Sequence, residues 1–209
     1  LAVMKMIESK IYTNVPTMYG STWKELLANV EAKSSDVIRS LDNPLYSEPG
    51  LKILKGNLSP TGSIVRPTGV PEEMKQFSGK AKVFSSDLDS FEAIERGEIV
   101  AGDVIVIRYE GCVGAPGMTE LMVTTDALIA KGLHKSVGLI SDARFSGFNY
   151  GAIVGHVTPE AARGGLIALI EDGDIITVDI VKGTINLEVS EDVIEERRKN
   201  WVCPPPKVS

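Results

Sequence analysis

The chain has 209 residues, of which 43% are hydrophobic and 24% are charged, a balance typical of a folded globular domain. Its formal net charge of −6 argues against nucleic-acid binding, which ordinarily needs a basic face. The sequence contains no apolar run of the roughly 18 residues that cross a bilayer and no visible signal peptide, so a cytoplasmic location without a membrane partner is expected.

The first half of the chain predicts short elements separated by loops. Residues 1–7 have the pattern of an amphipathic helix, and Thr22 with Glu25 forms a capping-box pattern that predicts a helix over 23–32. Further elements expected here are strands at 51–54, 63–66 and 82–84, and a helix over 88–96 with Asp87 as its N-cap and Gly97 as its stop.

The middle of the chain carries two polar loops that each follow a predicted buried strand. The first loop lies between a strand at 104–108 and a helix predicted over 118–131. The second loop, at 141–148, follows a strand at 137–140. Glycines in such loops let the backbone approach a ligand closely. We therefore expect the two loops to form half of an active site.

The last third of the chain predicts mostly β-structure. Its expected elements are strands at 152–157, 167–170, 175–180 and 184–189, hairpin turns at 172–174 and 182–183, and a final helix capped by Ser190. The number of hairpins argues against a doubly wound sheet. The pattern predicts a mixed α/β domain with a mainly antiparallel, barrel-like sheet flanked by helices.

Several side chains in the two loops are candidates for chemistry. Glu120, in the first turn of the predicted helix, is either a ligand for a hard cation such as Mg²⁺ or a solvated carboxylate. The Ser146 hydroxyl either projects into a cleft beside Gly147 or bonds its own backbone in a turn. Arg144 either binds a substrate carboxylate or phosphate, or pairs with Asp142 and holds the loop.

The same residues suggest two other arrangements. A Ser146–His156–Asp142 triad would make the protein a hydrolase, but the serine lacks the G-x-S-x-G context of a nucleophile elbow. Cys112 is a possible iron ligand, yet a cluster needs about three thiolates, and only Cys203 accompanies it.

Several motifs occur together in one order along the chain. They are Gly56-Asn57-Leu58 with Pro60, Arg108-Tyr109-Glu110-Gly111, Pro116-Gly117-Met118 with Glu120, Asp142 with Arg144-Phe145-Ser146-Gly147, and Gly155-His156-Val157 with Pro159-Glu160-Ala161. This set resembles the dihydroxy-acid dehydratase and phosphogluconate dehydratase family, specifically its C-terminal domain. The resemblance covers nearly the whole chain.

The resemblance implies a swivelling β/β/α barrel over residues 21–209, preceded by a linker helix at 1–20 from an N-terminal domain. It implies that Glu120 is a Mg²⁺ ligand, that Ser146 is the catalytic base, acting as an alkoxide held by the metal, and that Gly147 makes room for an anionic substrate. The N-terminal domain would bind an iron–sulfur cluster. The parent protein would be a homodimeric hydro-lyase that dehydrates 2,3-dihydroxy acids to 2-keto acids, and this chain alone would be inactive.

The chain departs from the common pattern of that family at Cys112, Val113, Ala115, Ala143 and Phe148. The sequence Ser141-Asp142-Ala143 is more similar to the sugar-acid dehydratases. The substrate is therefore either a branched-chain dihydroxy acid of branched-chain amino acid biosynthesis or a sugar acid of sugar acid metabolism. The same departures leave a second hypothesis, a non-catalytic binding or regulatory domain that retains the barrel.

Overall fold

A computed structural model of the chain describes residues 1–147 and 149–207. The chain divides into two compact units, Leu1–Ser47 and Glu48–Ser209. No helix within the described ranges has the length and apolar character needed to cross a membrane.

The first unit contains two short α-helices, α1 (Ala2–Met6) and α2 (Trp23–Leu27). The predicted capping box of α2 forms, since Glu25 N–H donates to Thr22 Oγ1 at 3.3 Å and Thr22 N–H donates to Glu25 Oε2 at 2.7 Å. The helix is shorter than predicted because weak helix formers, including Asn29 and Val30, follow it.

In the second unit, the described residues form one sheet of eight strands: β1 (Lys52–Leu54), β2 (Gly62–Val65), β3 (Gln76–Phe84), β4 (Asp103–Ile107), β5 (Gly138–Ser141), β6 (Ala152–Thr158), β7 (Ile175–Asp179) and β8 (Thr184–Leu187). The strand order is β1-β2-β6-β5-β4-β3-β7-β8. The β3–β4, β4–β5 and β5–β6 pairs are parallel, and the other four are antiparallel. Lys55, just after β1, bridges Thr184 of β8, so the sheet nearly closes. The predicted mixed, barrel-like fold is confirmed.

The central strands are buried on both faces. Val104 and Val106 of β4 pack into the cluster inside the barrel, whereas Ile105 and Ile107 pack into a second cluster with residues of two helices, α3 (Asp87–Glu95) and α4 (Val123–Ala130). A parallel strand that is buried on both faces needs apolar side chains at successive positions, and the sequence of β4 has such a run. A last helix, α5 (Glu191–Asn200), follows Ser190, whose side chain makes no capping bond to the described residues.

One predicted strand is wrong. The apolar segment 167–170 is not a strand, because Leu166–Leu169 forms a 3₁₀ helix. Periodicity cannot tell a short buried helix from a buried strand when every position is apolar. The turn at 172–174 therefore joins this 3₁₀ helix to β7 and is not a hairpin, whereas the turn at 182–183 does join β7 and β8 as predicted.

Candidate active site

Three buried carboxylates lie in the loops that follow β4, β5 and β6. Because these strands are parallel neighbours, their carboxyl ends meet at one edge of the sheet. Glu110 follows β4, Asp142 follows β5 and Glu160 follows β6, with exposed fractions of 5%, 1% and 7%. Buried carboxylates need hydrogen-bond or charge partners, so their partners show how the loops are held.

Asp142 joins the three loops. Its Oδ2 accepts the N–H groups of Tyr109 at 3.1 Å and Ala161 at 2.9 Å, and its Oδ1 accepts the N–H of Glu110 at 3.1 Å. Burial raises the pKa of the Asp142 carboxyl above its ordinary value, and the three backbone donors oppose that rise.

Two hypotheses from the sequence do not match this arrangement. Within residues 1–147 and 149–207, the hydrogen bonds of the Asp142 carboxylate go to backbone N–H groups, and it makes no ion pair with Arg144. The same contacts leave out His156, so the hydrolase triad is not assembled. Asp142 holds loops, and the exposed Arg144 side chain is not needed to neutralise it.

Glu110 connects the C-terminal segment of the chain to the loop after β4. Its carboxylate accepts from the Thr119 hydroxyl and forms an ion pair with the Lys207 ammonium. Lys207 N–H also donates to the Gly114 carbonyl at 3.0 Å. The Lys207 contacts therefore hold the loop just before Glu120.

Glu120 lies in an extended segment and forms a parallel β-bridge with Arg144. Leu121 N–H donates to the Arg144 carbonyl at 3.0 Å, and Arg144 N–H donates to the Thr119 carbonyl at 3.3 Å. The bridge brings the loops after β4 and β5 side by side. It places Glu120 opposite a residue that shortly precedes Ser146 in the chain.

The helix after Glu120 starts later than the sequence predicts. α4 begins at Val123, so Glu120 precedes the helix and does not lie in its first turn. Met118 has a φ of 55°, a left-handed conformation that a right-handed helix cannot include.

The prediction that Asp87 caps α3 is wrong. Ser86 is the N-cap of α3, and the Asp87 side chain binds backbone N–H groups at the start of α4. The Asp87 carboxylate accepts the N–H groups of Met122, Val123 and Thr124 at 3.1, 3.3 and 3.2 Å.

Ser146 is half-buried and begins a turn that Asn149 closes, since Asn149 N–H donates to the Ser146 carbonyl at 3.3 Å. Gly147 in this turn is exposed. Arg66, just after β2, donates from Nη2 to the Asn149 carbonyl. Sequence reasoning missed Arg66 and Asn149, because no local pattern links residues 83 positions apart.

The positions where the chain departs from the family pattern differ in their surroundings. Ala115 and Ala143 are buried, whereas Cys112 and Val113 are exposed. Phe148 lies outside the described residues.

His156 lies in β6 with a φ of 55°, an unusual conformation for a residue other than glycine. Its N–H donates to the Ala143 carbonyl at 2.8 Å, which places its backbone beside the start of the serine loop. Burial, and secondarily the positive charge of Arg144, lower the pKa of His156 below its ordinary value.

The described side chains fit a share in a Mg²⁺ site better than they fit an iron–sulfur cluster. The described residues contain no group of three or more His, Cys, Asp and Glu side chains that could hold a metal ion. The partly exposed Glu120 carboxylate fits a share in a Mg²⁺ site, since Mg²⁺ keeps several waters and binds through one or two carboxylates and the substrate. Cys112 and Cys203 are free and exposed, and two thiols are too few for an iron–sulfur cluster, which needs about three.

Comparisons with known proteins identify similar chains. A family model described as dihydroxy-acid/6-phosphogluconate dehydratase C-terminal matches residues 36–208. A dihydroxy-acid dehydratase of Pelobacter propionicus is 46% identical over 207 residues, which cover 99% of this chain and 37% of the relative. The dihydroxy-acid dehydratase of Thermodesulfovibrio yellowstonii is 47% identical over 207 residues, with coverages of 99% and 38%. That of Acetivibrio thermocellus is 44% identical over 210 residues, with coverages of 100% and 38%. The chain spans well under half the length of these relatives.

Proposed function

This chain belongs to the dihydroxy-acid/6-phosphogluconate dehydratase C-terminal family, and we propose that it is the C-terminal domain of a hydro-lyase that dehydrates a 2,3-dihydroxy carboxylic acid to a 2-keto acid. The observation that carries the proposal is the β-bridge between Glu120 and Arg144, which brings the two motif loops together. The relatives are named dihydroxy-acid dehydratases, which favours a dihydroxy acid over a phosphorylated sugar acid as the substrate.

In the proposed reaction, Ser146 Oγ, deprotonated to an alkoxide, takes the proton from C2 and becomes a hydroxyl, and the electron pair of the C2–H bond forms a C2=C3 double bond. The C3–O bond breaks, and the departing hydroxide takes up one proton to become water, which balances the proton that Ser146 removed from C2. The resulting enol gains a proton at C3 and loses the proton of its C2 hydroxyl to become the 2-keto acid, so the reaction needs no external oxidant or reductant. General-base transfer of this kind requires that the Ser146 oxygen reach the C2 proton directly.

Other residues of the two loops have supporting roles in this proposal. Glu120 would hold Mg²⁺, which supplies positive charge beside the substrate carboxylate and the developing enolate. Arg144 would pair with the substrate carboxylate through its planar guanidinium. The exposed Gly147 would leave room for that carboxylate.

The remaining parts of the proposal concern the whole protein. Because two cysteines are too few for a cluster, we propose that the isolated chain is inactive and that further cofactor ligands belong to another part of the protein. We also propose a homodimer, which the family resemblance implies, and a cytoplasmic location, which the sequence pattern predicts.

The test compares Ser146→Ala with Ser136→Ala in the full-length protein. Ser136 is a matched control, a half-buried serine whose hydroxyl donates to the Leu133 carbonyl at 3.4 Å. Loss of a general base lowers kcat by about 10²–10⁴-fold. Iron content and melting temperature should stay near wild type, because a single hydroxyl contributes about 1 kcal/mol. Wild-type turnover by Ser146→Ala would remove Ser146 from the mechanism and leave the catalytic base unassigned, whereas a full-length wild type without dehydratase activity would favour the non-catalytic hypothesis.

A further inference from the structure

Arg66 reaches from the end of β2 to the turn that contains Ser146. Its Nη2 donates to the Asn149 carbonyl, and Asn149 N–H donates to the Ser146 carbonyl at 3.3 Å. Asn149 is 7% exposed, so water does not compete freely for these bonds. Two consecutive hydrogen bonds therefore connect the Arg66 guanidinium to the backbone of Ser146.

The end of the serine loop is held at the same place. Gly151 N–H donates to the Gly69 carbonyl at 2.9 Å, and Gly69 ends the 3₁₀ turn Pro67–Gly69 that follows Arg66. A Cβ at position 69 would lie 2.5 Å from Arg66 Nη2 and 3.1 Å from the Asn149 carbonyl oxygen. Glycine at this position is what allows the guanidinium to lie against the carbonyl.

The contacts of Arg66 indicate that its charged guanidinium binds the turn that contains Ser146. Among residues 1–147 and 149–207, Arg66 takes part in no ion pair, and its hydrogen bond is the one to Asn149. A hydrogen bond from a charged donor is roughly twice as strong as one between neutral groups. The guanidinium is therefore suited to fixing the position of a loop.

We propose that Arg66 is a positioning residue that holds the turn so that Ser146 Oγ faces the C2 proton of the substrate. This inference rests on the proposed function, in which Ser146 is the base. Proton abstraction needs an approach of about 2.6–3.2 Å between heavy atoms. A displacement of about 1 Å can lower the rate by about 10²-fold. Losing the Arg66 bond should therefore slow proton abstraction more than it weakens substrate binding.

The experiment measures kcat, KM and the C2 deuterium isotope effect for variants of the full-length protein. Arg66→Met should lower kcat about 10–10²-fold, change KM little and raise the isotope effect, because proton abstraction becomes more rate-limiting. Arg66→Lys should recover much of kcat, since an ammonium can donate to the same carbonyl. The double variant Arg66→Met/Ser146→Ala should be no slower than Ser146→Ala, because both changes act through one group.

Two further variants guard against a general folding defect. Gly69→Ala displaces the guanidinium without removing it and should lower kcat in the same direction. Arg96→Met, which replaces an exposed arginine paired with Glu98, should behave as wild type. A normal rate for Ser146→Ala would overturn the proposed role of Ser146 as the base, on which the role of Arg66 rests. A slow Ser146→Ala combined with a normal Arg66→Met, or with additive losses in the double variant, would overturn only the role of Arg66.

Discussion

Glu120 and Arg144 lie opposite each other in a parallel β-bridge that joins the segment before α4 to the loop after β5. The bridge constrains the backbones and leaves both side chains available. In the part of the chain that the structure describes, neither takes part in an ion pair. A residue with a carboxylate and a residue with a guanidinium are thus neighbours at one edge of the sheet, where we propose that a cation and an anionic substrate meet.

Replacement of Glu120 by glutamine tests the metal role. The amide keeps the shape of the side chain but removes the negative charge that a hard cation prefers. Changes around a metal ligand commonly weaken metal binding by about 10–10²-fold, so the Mg²⁺ concentration for half-maximal activity of the full-length enzyme should rise at least that much. Glu92→Gln, on the exposed face of α3, should leave the Mg²⁺ titration unchanged. An unaltered titration for Glu120→Gln would exclude Glu120 as a ligand.

Gly165 and Gly147 lack a side chain for different proposed reasons, packing at Gly165 and substrate binding at Gly147. A Cβ at Gly147 would meet nothing within 4 Å among the described residues, whereas a Cβ at Gly165 would lie 1.8 Å from the Pro159 carbonyl oxygen. Gly165→Ala should destabilise the fold by about 3 kcal/mol. Gly147→Ala should change the free energy of unfolding by about 0.5 kcal/mol or less.

The activity of the Gly147→Ala variant then tests the substrate role. If Gly147 leaves room for the substrate, the added methyl group should lower kcat/KM by about tenfold or more. Thermal unfolding and steady-state kinetics of both variants check this prediction. Full activity of Gly147→Ala would mean that the substrate does not approach this residue.

The lowered pKa of His156 predicts a dependence of stability on pH. Burial is the main cause of the shift, and the charge of Arg144 adds to it. The unfolded chain, with a histidine pKa near 6.5, therefore binds a proton at a higher pH than the folded chain. Stability is full above that value and decreases as the pH falls toward the lower pKa of the folded state.

The substitution His156→Gln removes the imidazole that causes this dependence of stability on pH. Between about pH 7.5 and about pH 5, the melting temperature of the wild type should fall more than that of His156→Gln. Parallel pH profiles for wild type and His156→Gln would show that His156 does not carry the effect.

The ion pair between Glu110 and Lys207 predicts a coupled effect on stability. The Glu110 side chain is 6% exposed and that of Lys207 is 33% exposed, so Lys207→Met leaves a buried carboxylate without its cation. Loss of one partner should cost about 1–3 kcal/mol, less than for a fully buried pair. Glu110→Gln combined with Lys207→Met should recover part of that loss, because the unpaired charge is gone. Additive losses in denaturant unfolding would show that the two residues do not interact.

Much of the fold could be predicted from the sequence, because the responsible signals are local. The stop of α3 at Gly97 and the end of α4 at Gly132 follow from glycines with φ of 75° and 72°. The buried strand β4 and the β7–β8 hairpin lie close to their predicted ranges. In contrast, β3 covers Gln76–Phe84 although only 82–84 was predicted, because pairing with β4 and β7 stabilises a segment whose own pattern includes Gly79.

The sequence by itself determined the barrel-like mixed fold and the two loops that carry Glu120 and Ser146, because motifs, caps and apolar runs are encoded by neighbouring residues. Only the tertiary structure decided that Asp142 binds backbone N–H groups of two other loops, and that Arg66 supports the turn at Ser146. Those partners come from distant parts of the chain. The partners of Asp142 meet because the parallel strands β4, β5 and β6 align their carboxyl ends, whereas Arg66 meets Asn149 because the end of the antiparallel strand β2 lies beside the start of β6. No local pattern records either alignment.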